Sequence, residues 1–144
     1  MKKLCLLLVV LLGSAAATER RVHAQMIGSI DFTTDFAFYA GDALMPAGSY
    51  TVRKEALSEP ILLIEGEKAL KHSALLDYLP MHANTPHPQS DVVFERYGDR
   101  EYLSKLWIEG EQFGMKIPPT KAEKLYAQSK SPKEHSVSGR KHKL

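Results

Sequence analysis

The chain reads as an all-β protein, an antiparallel sandwich or flattened barrel of about seven strands with a short C-terminal helix. Three observations carry that reading. Short segments alternate apolar and polar residues, as where Ile30 and Phe32 interleave with Ser29, Asp31 and Thr33, and where Tyr50 and Val52 interleave with Ser49, Thr51 and Arg53; this is the period of a half-buried strand. Turn residues separate these segments at Gly41-Asp42, Pro46, Gly48, Glu59-Pro60, Gly66, Gly98-Asp99 and Gly110. The clearest helix-start signal, Thr120-Lys-Ala-Glu123, comes late in the chain.

The first residues stand apart from that pattern. Lys2 and Lys3 precede an uninterrupted apolar run at residues 4–12, and small residues follow at 13–17. This is the layout of a secretory signal peptide, cut after Ala17 or as late as Ala24. A membrane-spanning helix needs about 20 apolar residues, so the run does not predict a transmembrane anchor. The one cysteine, Cys5, lies inside this segment. The mature chain is then exported without a disulfide, a thiolate nucleophile or a cysteine metal site. Loss of Lys2 and Lys3 balances the charges at 17 basic and 17 acidic residues, which removes the electrostatic footprint expected of a nucleic-acid binder.

The β domain is expected over residues 25–128. Residues 25–34 open it as a strand. Residues 36–40 and 49–53 form an organising pair of strands, linked through a turn at Met45-Pro46-Ala47-Gly48. Ile61-Leu-Leu-Ile64 is a continuous apolar run suited to a strand covered on both faces. Residues 69–79 alternate as a strand, with a helix as the competing reading. Residues 79–90 carry Pro80, Pro86 and Pro88 and read as a loop.

Residues 91–96 and 101–108 form a hairpin around Gly98-Asp99, a pair suited to a type II′ turn. Its register would set Arg96 opposite Glu101, Phe94 opposite Leu103 and Val92 opposite Lys105. Ile64-Glu-Gly-Glu67 and Ile108-Glu-Gly-Glu111 look like one turn chemistry used twice. A last short strand is expected at 112–117, and the Thr120 cap opens a helix to about Gln128. Residues 129–144 contain Lys130, Lys133, Arg140, Lys141 and Lys143 against Glu134 alone and almost nothing apolar, so they read as a disordered basic tail.

Two motifs carry a resemblance. Phe36-x-Phe followed by Leu44-Met-Pro-Ala-Gly-x-Tyr-Thr-Val52, and Val93-Phe-Glu-Arg-Tyr-Gly-Asp-Arg-Glu-Tyr-Leu-x-x-Leu-Trp107, resemble a family of small secreted bacterial proteins common in acidobacteria. Its members share a Leu-Pro-Ala-Gly-x-Tyr segment and an Arg-Tyr-Gly-Asp hairpin. This chain departs by Met45, where the family usually has leucine. The resemblance spans roughly residues 30–127. It implies a β-rich exported domain and brings no activity, ligand or catalytic residue.

The residues themselves offer little catalytic chemistry. No Gly-x-Ser-x-Gly elbow, phosphate-binding glycine loop or dinucleotide fingerprint occurs. Glu65 with Glu67, and Glu109 with Glu111, flank glycines as solubilising turn residues do. Met81, His82 and His87 are the weak metal candidates, since thioether and imidazole suit copper. Five residues apart, the two histidines share a face of neither a helix nor a strand, so no metal or cofactor is assigned. Tyr97, Tyr102 and Trp107 are the candidate binding surface, should they be exposed together. The functional expectation is an exported, monomeric, non-enzymatic binding or envelope-associated domain, periplasmic or extracellular, whose partner is a cell-envelope component or polysaccharide. The competing expectation is a small β-barrel hydrolase or small-ligand carrier with a pocket.

Overall fold

The computed structural model describes residues 28–55 and 59–142. The segment read as a signal peptide lies outside them. Among the described residues the chain forms eleven strands and one short helix: β1 (Ser29–Thr34), β2 (Phe38–Ala40), β3 (Ala43–Met45), β4 (Gly48–Lys54), β5 (Ile61–Gly66), β6 (Ser73–Asp77), β7 (Leu79–His82), β8 (Ser90–Tyr97), β9 (Arg100–Trp107), β10 (Phe113–Lys116), α1 (Lys121–Ala127) and β11 (Lys133–His142). The strands run in the order β3-β2-β9-β8-β11-β1-β4-β5-β6, with β10 bridging β9 to β7. The nine-strand path curls into a nearly closed barrel with one unsealed seam.

The barrel is mixed rather than antiparallel. β2 meets β9 in parallel, at Tyr39 opposite Tyr102, and every other ladder is antiparallel. The organising pair is not a pair in space. The connection after β2 contains β3, which folds straight back on β2, while β4 joins β1 and β5 instead. The strand count exceeds seven for local reasons. β3 is only three residues long, and β7 holds Pro80 in a stretch whose prolines spoke for a loop. Pro80 is tolerated because β7 pairs on one side only, with β10. The window at residues 69–79 resolves as a turn with Lys71 at φ 51°, then β6.

The largest correction concerns the C-terminus. Residues 133–142 are not a loose basic tail: β11 lies between β8 and β1 and joins the two halves of the wall. Its own side chains do not supply the drive. His135, Val137, Gly139 and Lys141 alternate as half-buried residues with exposed neighbours, and two backbone ladders pair the strand's polar groups, which must find partners inside a wall. Composition alone hides such a strand, because its apolar surface is borrowed from Ile30, Val92 and Phe94 on either side.

The hairpin of β8 and β9 forms with Gly98 at φ 64°, the first turn position, and Asp99 at negative φ, as a type II′ turn requires. Arg96 pairs with Glu101 and Phe94 with Leu103 as expected. A bulge between Val93 and Phe94 then shifts the register, so Val92 faces Leu106 and Lys105 faces Val93. That one-residue slip turns Leu106 into the core, where it is fully buried. The two Ile-Glu-Gly-Glu segments also differ: Gly66 ends a strand, whereas Gly110 sits in a turn at φ 78°.

The core is centred on a cluster of aromatic rings. Phe32, Phe36, Phe38, Tyr50 and Phe94 pack ring against ring, with Phe38 5.2 Å from both Tyr50 and Phe94 and Phe36 5.1 Å from Phe94. Aliphatic side chains of Ile30, Val52, Leu62, Ile64, Leu76, Val92, Leu103 and Leu106 complete the core.

Candidate functional site

Alternation places polar side chains on the outside of the same strands that fill the core. While Ile30 and Phe32 point inward from β1, Asp31 and Thr33 point out; β4 does the same with Ser49 and Thr51. Register then aligns them. Arg140 on β11 is opposite Asp31, Asp31 is opposite Thr51, and Thr51 is opposite Glu65 on β5. A single row of Arg140, Asp31, Thr51 and Glu65 thus crosses four strands, with Thr33 opposite Ser49 in the next row. These rows floor an open groove of about 910 Å³, rimmed by Gly66, Glu67 and Lys68 on one side and by Ser138 and Gly139 on the other. The Glu67 amide donates to the Ser49 carbonyl at 3.0 Å and fixes the rim to the floor.

The groove floor is preordered. Thr51 Oγ1 donates to Asp31 Oδ1 at 2.7 Å, and His142 Nε2 lies 2.5 Å from Asp31 Oδ2. Thr33 and Ser49 hydroxyls share a hydrogen bond of 2.9 Å, and Arg53 reaches Glu65 at 3.4 Å. In a hydrolytic triad the imidazole stands between hydroxyl and carboxylate so that it can take the proton. Here the carboxylate stands between Thr51 and His142. That order orients hydroxyls and carboxylates for hydrogen bonding; it does not activate a nucleophile.

The expected site residues fall elsewhere and do not converge. His82 faces Phe113 across the β7–β10 ladder, ring to ring at 4.9 Å. His87 lies flat on Trp107 at 5.1 Å with its Nδ1 2.9 Å from the Gln89 carbonyl oxygen. Trp107 is opposite Gly114, next to Phe113, so the two histidines meet opposite faces of this ladder. Met81, opposite Gly114, shares the Trp107 face. Among the described residues no three His, Cys, Asp or Glu side chains gather as a metal set.

Tyr97 and Tyr102 are buried together on the outer side of the hairpin, 5.8 Å apart and edge to face, with Tyr39 stacked on Tyr102 at 5.0 Å. Trp107 is separate. His87 covers one face of its indole, and the Gly114 backbone presses on it so closely that an added Cβ would stand 2.6 Å from the ring.

Two titratable clusters go beyond the sequence reading, which had only the Arg96–Glu101 pairing of the first. At one end of the barrel, buried Glu101 bonds Arg96 and also His135 Nε2 at 2.7 Å, while the His135 ring lies against Phe36 and Phe94. On the outer side of β8, Glu95 accepts from the Tyr97 hydroxyl at 2.7 Å and from Ser104 at 3.2 Å. Burial, with that hydrogen bond to Glu95 adding to it, pushes the Tyr97 phenol far above its usual range. Glu123 of α1 is pushed up to about 7, first by burial and then by the Glu95 charge, against the opposing pull of the Thr120 amide and Lys124. The alternation of Asp31, Thr33, Ser49 and Thr51 was visible in the sequence. Their rows were not, because registry with β11 and β5 is a long-range property.

No family model, no curated protein and no solved structure matches the chain. Among the described residues no helix is long and apolar enough to cross a membrane.

Proposed function

We propose that the chain is an exported, non-enzymatic binding domain that holds a polyhydroxylated polymer of the cell envelope in the outer groove. The observation that carries this reading is the row of Arg140, Asp31, Thr51 and Glu65 across four strands. It offers carboxylate acceptors and hydroxyl groups at the spacing of neighbouring strands, about 4.8 Å, for hydrogen bonding to hydroxyls of a sugar chain lying across the wall. The ring-filled interior favours a ligand on the outside over one carried within, and the Thr51, Asp31, His142 order favours binding over hydrolysis. The resemblance of the two motifs to those of small secreted bacterial proteins fits an envelope setting.

The test is binding of the mature protein to soluble fragments of envelope polysaccharides, read by chemical-shift changes at the Thr33, Ser49 and Thr51 amides. Asp31→Asn removes a charged acceptor worth about 1.5 kcal/mol, so binding should weaken about tenfold. Shifts confined to other surfaces, or full affinity in Asp31→Asn, would remove the groove as the site.

A further inference from the structure

The wall of β8 and β9 beneath α1 is rich in acid and phenol groups. Glu123 comes down on it from the first turn of the helix and is only 7% exposed. It is the one buried residue that α1 contributes. The most deeply seated side chain of the helix is thus a carboxyl group, with Tyr126 and Ala127 half-buried and Leu125 pointing to solvent. From β8 the cluster presents Glu95 and Tyr97; from β9 it presents Tyr102, Ser104 and Arg100. The Tyr97 and Ser104 hydroxyls are committed to Glu95. The Arg100 guanidinium lies over Tyr126 at 4.0 Å and faces Tyr39 at 5.8 Å. From the helix itself come exposed Lys124 and half-buried Tyr126, the latter bound to Asp99 at 2.5 Å. Among the described residues neither Glu95 nor Glu123 makes a salt bridge. Two neighbouring carboxyls with no cation between them cannot both ionise without a large loss of solvation and mutual repulsion.

We propose that α1 is a proton-held clasp on the β8–β9 wall: the helix stays seated while buried Glu123 keeps its proton, and it lifts as that proton passes to solvent. Seven residues are too few for a helix to persist without its seat. Its other attachments, the Tyr126 contacts with Asp99, Arg100 and Lys130, are exposed and weakly holding. Lifting returns the Glu123 carboxylate to water, where it ionises readily. The upward displacement of Glu123 to about 7 sets the range in which this happens.

The experiment is hydrogen exchange of the α1 amides in the whole mature protein at pH 6 and pH 8, corrected for the intrinsic pH dependence of exchange. Protection should fall about tenfold between the two, with a matching change in the ring resonance of Tyr97. Glu123→Gln, neutral and nearly the same shape, should keep α1 protected at both pH values. Glu95→Gln should move the midpoint downward, and it decides the matter if Glu123→Gln does not fold. Equal protection at both pH values, a step that survives Glu123→Gln, or a midpoint unmoved in Glu95→Gln would overturn the proposal.

Discussion

Replacing Gly139 by alanine separates a seated strand from a loose tail. Gly139 lies on β11 opposite Ser90, with Ile30 of the neighbouring strand beneath it. A Cβ there would stand 2.5 Å from Ile30 Cγ2, and 3.5 Å from both the Asp31 carbonyl oxygen and Ser90 Cβ. Carbon atoms pack best at about 3.5–4.0 Å, so roughly 1 Å of space must be found. Ile30 cannot readily provide it. The residue is 1% exposed, and its β-branched side chain is held to few rotamers. Overpacking of this size costs about 1–3 kcal/mol. With a urea slope near 2 kcal/mol per molar, the unfolding midpoint should fall by roughly 0.5–1.5 M. Ser136→Ala, on the exposed side of the same strand, should stay within about 0.5 kcal/mol of the parent. In a disordered tail both substitutions would leave the midpoint where it was. An unchanged midpoint for Gly139→Ala would therefore refute the placement of β11.

Three further outcomes follow from the core and from α1. Phe94→Ala opens a hole where four other rings meet, those of Phe32, Phe36, Phe38 and His135, and should destabilise by about 3–5 kcal/mol in urea titration. Thr120→Ala removes the hydroxyl that accepts the Glu123 amide at 3.1 Å and should cost about 1 kcal/mol, read as faster exchange in α1. Stability should also depend on pH through Glu123. Its carboxyl is raised from 4.5 to about 7 in the folded chain. The contribution is therefore complete below pH 4.5 and is lost as pH rises to about 7, by at most roughly 3 kcal/mol. Glu123→Gln should flatten that part of the stability–pH curve, and a slope that persists in the variant would assign it to other groups.

Much of the local structure was legible because it depends on neighbours in sequence. Gly98-Asp99 dictates a tight turn whatever surrounds it. Thr120 and Glu123 lie within one helical turn, and the cap forms as the Glu123 amide donates to the Thr120 hydroxyl. Arg96 with Glu101 follows from the turn as well. What the turn does not reveal is that Glu101 is buried and held from a second side by His135, a residue 34 positions away. The bulge at Val93 was illegible for a related reason. It serves the packing of Leu106 opposite Val92 and leaves no mark in composition.

The candidate groove shows the same division. Each polar residue was assigned an outward direction by alternation alone, yet Arg140 reached the row only when β11 was in place. The tyrosines were visible as a group and their burial was not, since Tyr39 of β2 covers Tyr102 from outside the hairpin.

By itself the sequence determined that the chain is β-rich, where its tight turns fall and where its helix begins, because strand alternation and caps are decided within a few residues. Only the tertiary structure decided which strands are neighbours, that one pair runs parallel, and that a polar C-terminal segment joins the two halves of the barrel wall. The physical reason is that a strand's hydrogen bonds and half of its apolar cover come from other segments. β11, with Val137 as its one large apolar side chain, is held by surface that Ile30 and Phe94 bury on its behalf.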